Sequence, residues 1–139
     1  MAFRYRDDTP ADEPAVTLDA FLEQADAVSV RIEAGDDVRR LIPVLDRVKL
    51  VEIDFPKFRD GRGYSSARLL REAGYTGEIK ATGDVLVDQL LFMRRCGFDS
   101  FAPDAPIDPA VARRALAAYP YVYQHAADTA VPVWKLRHG

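Results

Sequence analysis

Residues 49–102 read KLVEIDFPKFRDGRGYSSARLLREAGYTGEIKATGDVLVDQLLFMRRCGFDSFA, and their changing periodicity decides the fold class. Val51, Ile53 and Phe55 alternate with Leu50, Glu52 and Asp54, which is the two-residue period of a strand over 49–55. A helix is expected over 65–73, started by Ser65 and Ser66 and closed by Gly74, which suits the left-handed residue that ends a helix. Ile79 and Ala81 then oppose Glu78, Lys80 and Thr82, a second strand over 78–82. A helix over 85–96 follows, closed by Gly97, and residues 99–102 make a short strand.

The pattern continues on both sides. Val28, Val30 and Ile32 alternate with Ser29, Arg31 and Glu33, an earlier strand over 28–33. Asp36 or Asp37 starts a helix through Val38, Leu41, Ile42, Leu45 and Val48, in which Pro43 predicts a kink or a delayed start. Thr17 caps a short helix, LDAFLEQA, with Leu18, Phe21 and Leu22 on one face. Asp108 before Pro109 is an N-cap and first-turn pair, opening a helix with Val111, Ala115 and Leu116 that ends near Tyr119, before Pro120.

Four successive βα units imply a parallel sheet with right-handed crossovers. Two architectures satisfy that. One is half of a (β/α)8 barrel, wound in one sense with all helices on one side. The alternative is a flavodoxin-like open sheet covered on both faces. Each strand has one apolar and one charged face, whereas a doubly covered sheet reads almost continuously apolar. The alternation therefore favours the half-barrel. Its charged face would line a barrel interior, a cleft or a subunit junction; equally, those charges could mark strand ends or an exposed face. Open edges on such a sheet call for a cover, and a homodimer closing the barrel is the expected one.

At 139 residues, one α/β domain over 18–139 is expected, with a flexible arm over 1–17 and an extended aromatic tail from about 120. The net charge of −3 gives no global basic field for nucleic acid, and no apolar run approaches the ~20 residues of a membrane span. The polar start, MAFRYRDDTPADEP, has no secretory h-region, and Cys96 is the single cysteine, so no intrachain disulfide forms. These features fit a cytoplasmic protein. Cys96 reads as a core residue. His125 and His138 stand far apart in the tail without metal-ligand spacing, so no metal and no cofactor are expected.

The chemistry-bearing residues gather after the strand over 49–55. Lys57, Arg59 and Arg62, with Gly61 and Gly63 among them, run into the helix start at Ser65 and Ser66. In α/β folds ligands bind at the carboxyl ends of the strands. Guanidinium forks, a lysine point charge and helix-terminal amides together suit an oxyanion or another small anionic ligand. Lys57, Arg59, Arg62, Gly63, Ser65 and Ser66 are the expected anion contacts. The same residues also fit a solvated turn around Asp60-Gly61, or a protein-docking loop. The order lacks both the P-loop and the dinucleotide fingerprints. Glu52, Asp54, Lys80 and Asp84 are acid–base candidates if desolvated, and otherwise an ion-pair network and a helix cap. Asp88 and Gln89 could hydrogen-bond to the basic loop or serve the helix itself.

The string FPKFRDGRGYS, then ATGDVLVDQ, then RRCGFDSF resembles the bacterial family catalogued as domain of unknown function 934. The likeness is specific over 55–101 and extends weakly to LDAFL and to Tyr123-Gln124. The family pattern has Leu-Arg where this chain has Ile79-Lys80. The resemblance implies context: members are typically encoded beside sulfite or nitrite reductase and are often labelled oxidoreductases of sulfite reduction. It carries over no catalytic residue. One cysteine and two histidines do not hold an iron–sulfur cluster or siroheme in the usual way. The expectation is an accessory protein of assimilatory sulfite or sulfate reduction that binds an anion at residues 57–66. The alternatives are a small half-barrel enzyme and a non-catalytic interaction module for sulfite reductase, docking through its Tyr-rich tail and Trp134.

Overall fold

The computed structural model describes residues 3–11, 14–56 and 61–117. Six strands form one sheet: β1 (Phe3–Arg4), β2 (Val16–Thr17), β3 (Ser29–Ile32), β4 (Leu50–Phe55), β5 (Glu78–Gly83) and β6 (Ser100–Pro103). Their order is β1-β6-β5-β4-β3-β2, with β2 to β6 all parallel and β1 antiparallel beside β6. The sheet is open. Each parallel strand is added on the same side as the last, so right-handed crossovers put every connection on one face. The connections touch one another in that sequence. They are the 3-10 segment Val38–Arg47, α2 (Arg62–Glu72), α3 (Leu90–Cys96) and α4 (Pro109–Ala117), with α1 (Leu18–Glu23) against β2 and β3.

The strand face toward this layer carries the core. Val30, Ile32, Val51, Ile53, Phe55, Ile79, Ala81 and Phe101 are each at most 1 % exposed and pack with Phe21, Leu41, Leu70, Leu90, Met93 and Phe98. Cys96 is a buried free thiol in the same cluster. On the opposite face the registered row Arg31–Glu52–Lys80–Ser100 crosses four strands. At the amino-terminal end of that face Ser29, Leu50, Glu78 and Ser100 are buried.

Several boundaries differ from the sequence expectation. The segment Val38–Arg47, flanked by Asp37 and Val48, is a 3-10 helix rather than an α-helix, broken at Val44 (φ −122°, ψ 18°) immediately after Pro43. α2 begins at Arg62, three residues before Ser65. The helix expected over 85–96 is a 3-10 turn, Val87–Gln89, followed by α3. Gly97 (φ 115°) ends α3 in the left-handed conformation as expected.

The described part of residues 1–17, expected to be a flexible arm, makes tertiary contacts with the domain. β1 pairs with β6, Tyr5 packs edge-on against Phe101, and Arg4 and Arg6 donate to Glu78 and Asp99. Two-residue strands carry no periodicity, so β1 and β2 were not readable from sequence. β1 also occupies the β6 edge, where a further parallel strand of a closing barrel would have to add.

Candidate functional site

Strand polarity brings the ends of β3, β4 and β5 together with the start of α2. Arg62, the first residue of α2, lines a small hollow with Glu33, Gly35, Asp36, Asp54 and Ser66. Its Nη1 lies 3.9 Å from the position a Cβ would take on Gly35 (φ 95°). Beside the hollow an open groove of about 640 Å3 runs between α2 and the 3-10 segment, lined by Asp37, Arg39, Gly61, Arg62, Ser65 and Ser66. The N-cap of α2 is Gly61, which has no side chain to accept from the first-turn amides. The other helix start on the groove is self-satisfied. Asp37 accepts from its own segment at Arg39 N (3.1 Å) and holds the Arg39 guanidinium at 2.9 Å, which keeps the Asp37 carboxyl below its ordinary pKa.

Of the six expected anion contacts, Arg62, Gly63, Ser65 and Ser66 lie at this end, while Lys57 and Arg59 lie outside the described residues. Two roles change. The Ser65 N–H donates to Gly61 O at 3.3 Å as an ordinary helical bond, because α2 starts earlier than its serines. Gly63 is buried, and a Cβ there would lie 2.5 Å from Phe55 Cζ, 2.6 Å from Phe55 Cε2 and 3.1 Å from Ile53 Cγ2. Gly63 is therefore required by the seating of α2 on β4.

The acid–base candidates separate. Glu52 sits between Arg31 (3.4 Å) and Lys80 (3.9 Å), an ion-pair row across the sheet face. Asp54 is at the carboxyl end, where its Oδ1 accepts from Thr82 Oγ1 at 3.2 Å. The Asp84 backbone N–H donates to Phe55 O at 2.7 Å, and Asp104 N donates to Gly83 O at 2.9 Å, tying together the ends of β4, β5 and β6. Gly83 (φ 90°) makes this possible, since a Cβ would lie 2.5 Å from Phe55 O and 2.8 Å from Asp54 Oδ1. The Gln89 side chain accepts from Leu86 N at 3.3 Å, within its own turn.

A charged cluster that the strand and helix patterns did not reveal lies at the other end of the sheet. Asp99 is 3 % exposed and accepts from Arg71 (2.6 Å), Arg6 (3.0 Å), Arg94 (3.4 Å) and Ile79 N (3.3 Å). Arg71 spends its remaining donors on the carbonyls of Gly97, Tyr75 and Gly77, so a buried guanidinium is fully engaged. Its sequence signal is position: Arg71 shares the buried stripe of α2 with Ala67 and Leu70. The same cluster uses Arg94 and Asp99 of RRCGFD and accounts for its glycine, because a Cβ on Gly97 would lie 2.7 Å from Arg71 Cγ. Among the described residues no three His, Cys, Asp or Glu side chains are grouped to hold a metal ion, and no helix is long and apolar enough to cross a membrane.

Residues 29–134 match the model of a family described as bacterial protein of unknown function, DUF934. The chain belongs to that family. The match spans β3 to α4 and starts after β1, β2 and α1, so the arm that supplies Arg4 and Arg6 lies before it. Comparison with curated proteins and with solved structures found no match. Within the matched residues lie two glycine-dependent junctions, Gly83 over Phe55 and Gly97 over Arg71, and the start of α2.

Proposed function

We propose that this DUF934 protein is an accessory factor of assimilatory sulfite or sulfate reduction that binds an oxyanion or related anionic metabolite beside the start of α2. The observation that carries the reading is the glycine-capped start of α2, which opens on the groove at the carboxyl end of the sheet with Arg62, Ser65 and Ser66 beside it. Amides at a helix start carry partial positive charge, and with a guanidinium they favour a small anion. The sulfur context comes from the resemblance of the signature strings alone. The acid–base alternative draws less support, because Glu52 is engaged by cations on both sides. A homodimer and contact with sulfite reductase belong to the same proposal.

The test is calorimetric titration of the purified chain with sulfite, sulfate and phosphate, repeated on Arg62→Ala. The expected result is one-site binding of a sulfur oxyanion, weakened at least tenfold in the variant. Equal affinity in the variant, or no binding of any of the three, overturns the site. Sedimentation velocity at micromolar concentration checks the dimer, and a monomer there removes it.

A further inference from the structure

The sheet edge opposite β2 is β6 under its short cover, β1. The two strands pair through two residues of each, Phe3 with Phe101 and Arg4 with Ser100. Two buried carboxylates, Glu78 and Asp99, stand beside this edge. Arg4 Nε donates to Glu78 Oε1 at 3.0 Å, Arg6 Nη1 donates to Asp99 Oδ2 at 3.0 Å, and the Tyr5 N–H donates to Asp99 O at 2.7 Å. The Tyr5 ring meets Phe101 edge-on at 6.1 Å between centroids, and the Arg94 guanidinium lies 5.4 Å from its centroid. The edge therefore holds residues 3–6 as an extended Phe-Arg-Tyr-Arg segment, with an acid for each arginine and a socket for the aromatic ring between them.

These contacts can open without stranding a charge on either side. Without Arg6, Asp99 still accepts from Arg71 at 2.6 Å, Ile79 N at 3.3 Å and Arg94 at 3.4 Å. Without Arg4, Glu78 still accepts from Ser100 Oγ at 2.6 Å. On the arm itself, Asp8 accepts from Arg4 at 2.6 Å and from Arg6 at 2.8 Å, so both guanidiniums leave already paired. Breaking a buried ion pair is costly because it leaves an uncompensated charge, and here none is left. The family match begins at residue 29, so β6, Glu78 and Asp99 belong to the matched unit and the arm does not.

We infer that the β6 edge is a docking site for an extended segment of a partner protein in which an aromatic residue stands between two arginines, and that the chain's own arm is its releasable occupant. The partner segment adds to β6 as an antiparallel strand, as β1 does, and its arginines take the places of Arg4 and Arg6 on Glu78 and Asp99. Main-chain bonds to an open edge give such a segment affinity, and the flanking side chains select it. An acidic segment is rejected, because its carboxylates would face Glu78 and Asp99. Until a partner displaces it, the arm keeps the edge covered against unspecific pairing.

The probe is a fluorescent hexapeptide of residues 3–8, Phe-Arg-Tyr-Arg-Asp-Asp, titrated by anisotropy into the full chain and into the full-length double variant Arg4→Ala/Arg6→Ala. In the parent the tethered arm competes at an effective concentration on the order of millimolar. The peptide is therefore expected to bind the double variant at least tenfold more tightly than the parent. A control peptide with glutamate in place of both arginines is expected not to bind. No peptide binding to the double variant, equal affinity for variant and parent, or equal binding of the control peptide each overturns the inference. Asp99 and Glu78 keep their other partners in the variant, and circular dichroism checks that its fold is retained. A second measurement needs no variant. By amide hydrogen exchange of the parent chain, the Tyr5 N–H is expected to exchange at least tenfold faster than the amides of β4 and β5, because the arm opens without the core. Exchange of Tyr5 no faster than those strands would make the arm part of the core and overturn its release.

Discussion

Gly63→Ala separates a packing glycine from a ligand-approach glycine. Two terms oppose each other. Inside a helix alanine is favoured over glycine by ~1 kcal/mol, so propensity alone predicts stabilisation. Against it, the new methyl would lie 2.5 and 2.6 Å from two Phe55 ring atoms and 3.1 Å from Ile53. Carbon contacts are optimal near ~3.5–4.0 Å, so the overlap is about an ångström. The Phe55 ring cannot swing aside: it is 0 % exposed and held between Tyr64 and Phe98, at 5.2 and 5.7 Å between centroids. Overpacking of a fixed core costs ~1–3 kcal/mol, and this overlap belongs near the upper end. The net expectation is a loss of about 1–2 kcal/mol, a fall in Tm of ~3–8 °C for a domain of this size. Gly61→Ala is the control, with nothing within 4 Å of its Cβ, and is expected to stay within ~0.5 kcal/mol. Urea unfolding followed by circular dichroism measures both. A Gly63→Ala variant as stable as the parent but deficient in anion binding would refute the packing account and return Gly63 to the site.

Asp99→Ala leaves Arg6, Arg71 and Arg94 facing one another without their shared carboxylate; breaking such a buried pair is expected to cost about 3–5 kcal/mol by urea unfolding. Glu52→Gln, in a partly solvated row with Arg31 and Lys80, is expected to lose no more than ~1 kcal/mol, and a larger loss would mark that row as more than a surface ion network. Stability should also fall in alkali. Burial holds the Tyr75 phenol well above its ordinary value, and the unfolded chain releases that proton near pH ~10. Above that pH the unfolded state binds fewer protons than the folded one, so the unfolding free energy declines as pH rises. Urea midpoints between pH 8 and 11 should show the decline, and Tyr75→Phe should flatten it while removing the O–H bond to Glu78 O at 3.3 Å. An unchanged slope in Tyr75→Phe would assign the alkaline limb to other groups.

Alternation within β3, β4 and β5 made the parallel βα succession legible, because one strand face meets the helical layer and must be apolar. The same contrast between Val51 or Ile53 and Glu52 or Asp54 pointed to helices on one side. Helix ends written in strong local chemistry were also legible: Thr17 accepts from Ala20 N, Asp108 accepts from Ala110 N, and Gly97 closes α3. The α2 start was misplaced because Ser65 and Ser66 are good capping residues in isolation, and only the fit of Gly63 onto Phe55 draws the helix back to Arg62. The same contact converted an expected ligand glycine into a packing one.

The sequence by itself determined the fold class, the polarity of the strands and hence the end of the sheet on which the basic loop falls, since each follows from local periods and short caps. Tertiary structure alone decided two things. It joined the arm to β6 and brought Arg6, Arg71 and Arg94 onto Asp99. Arg6 and Asp99 are 93 positions apart, and no local pattern encodes a meeting that exists only once the core has packed.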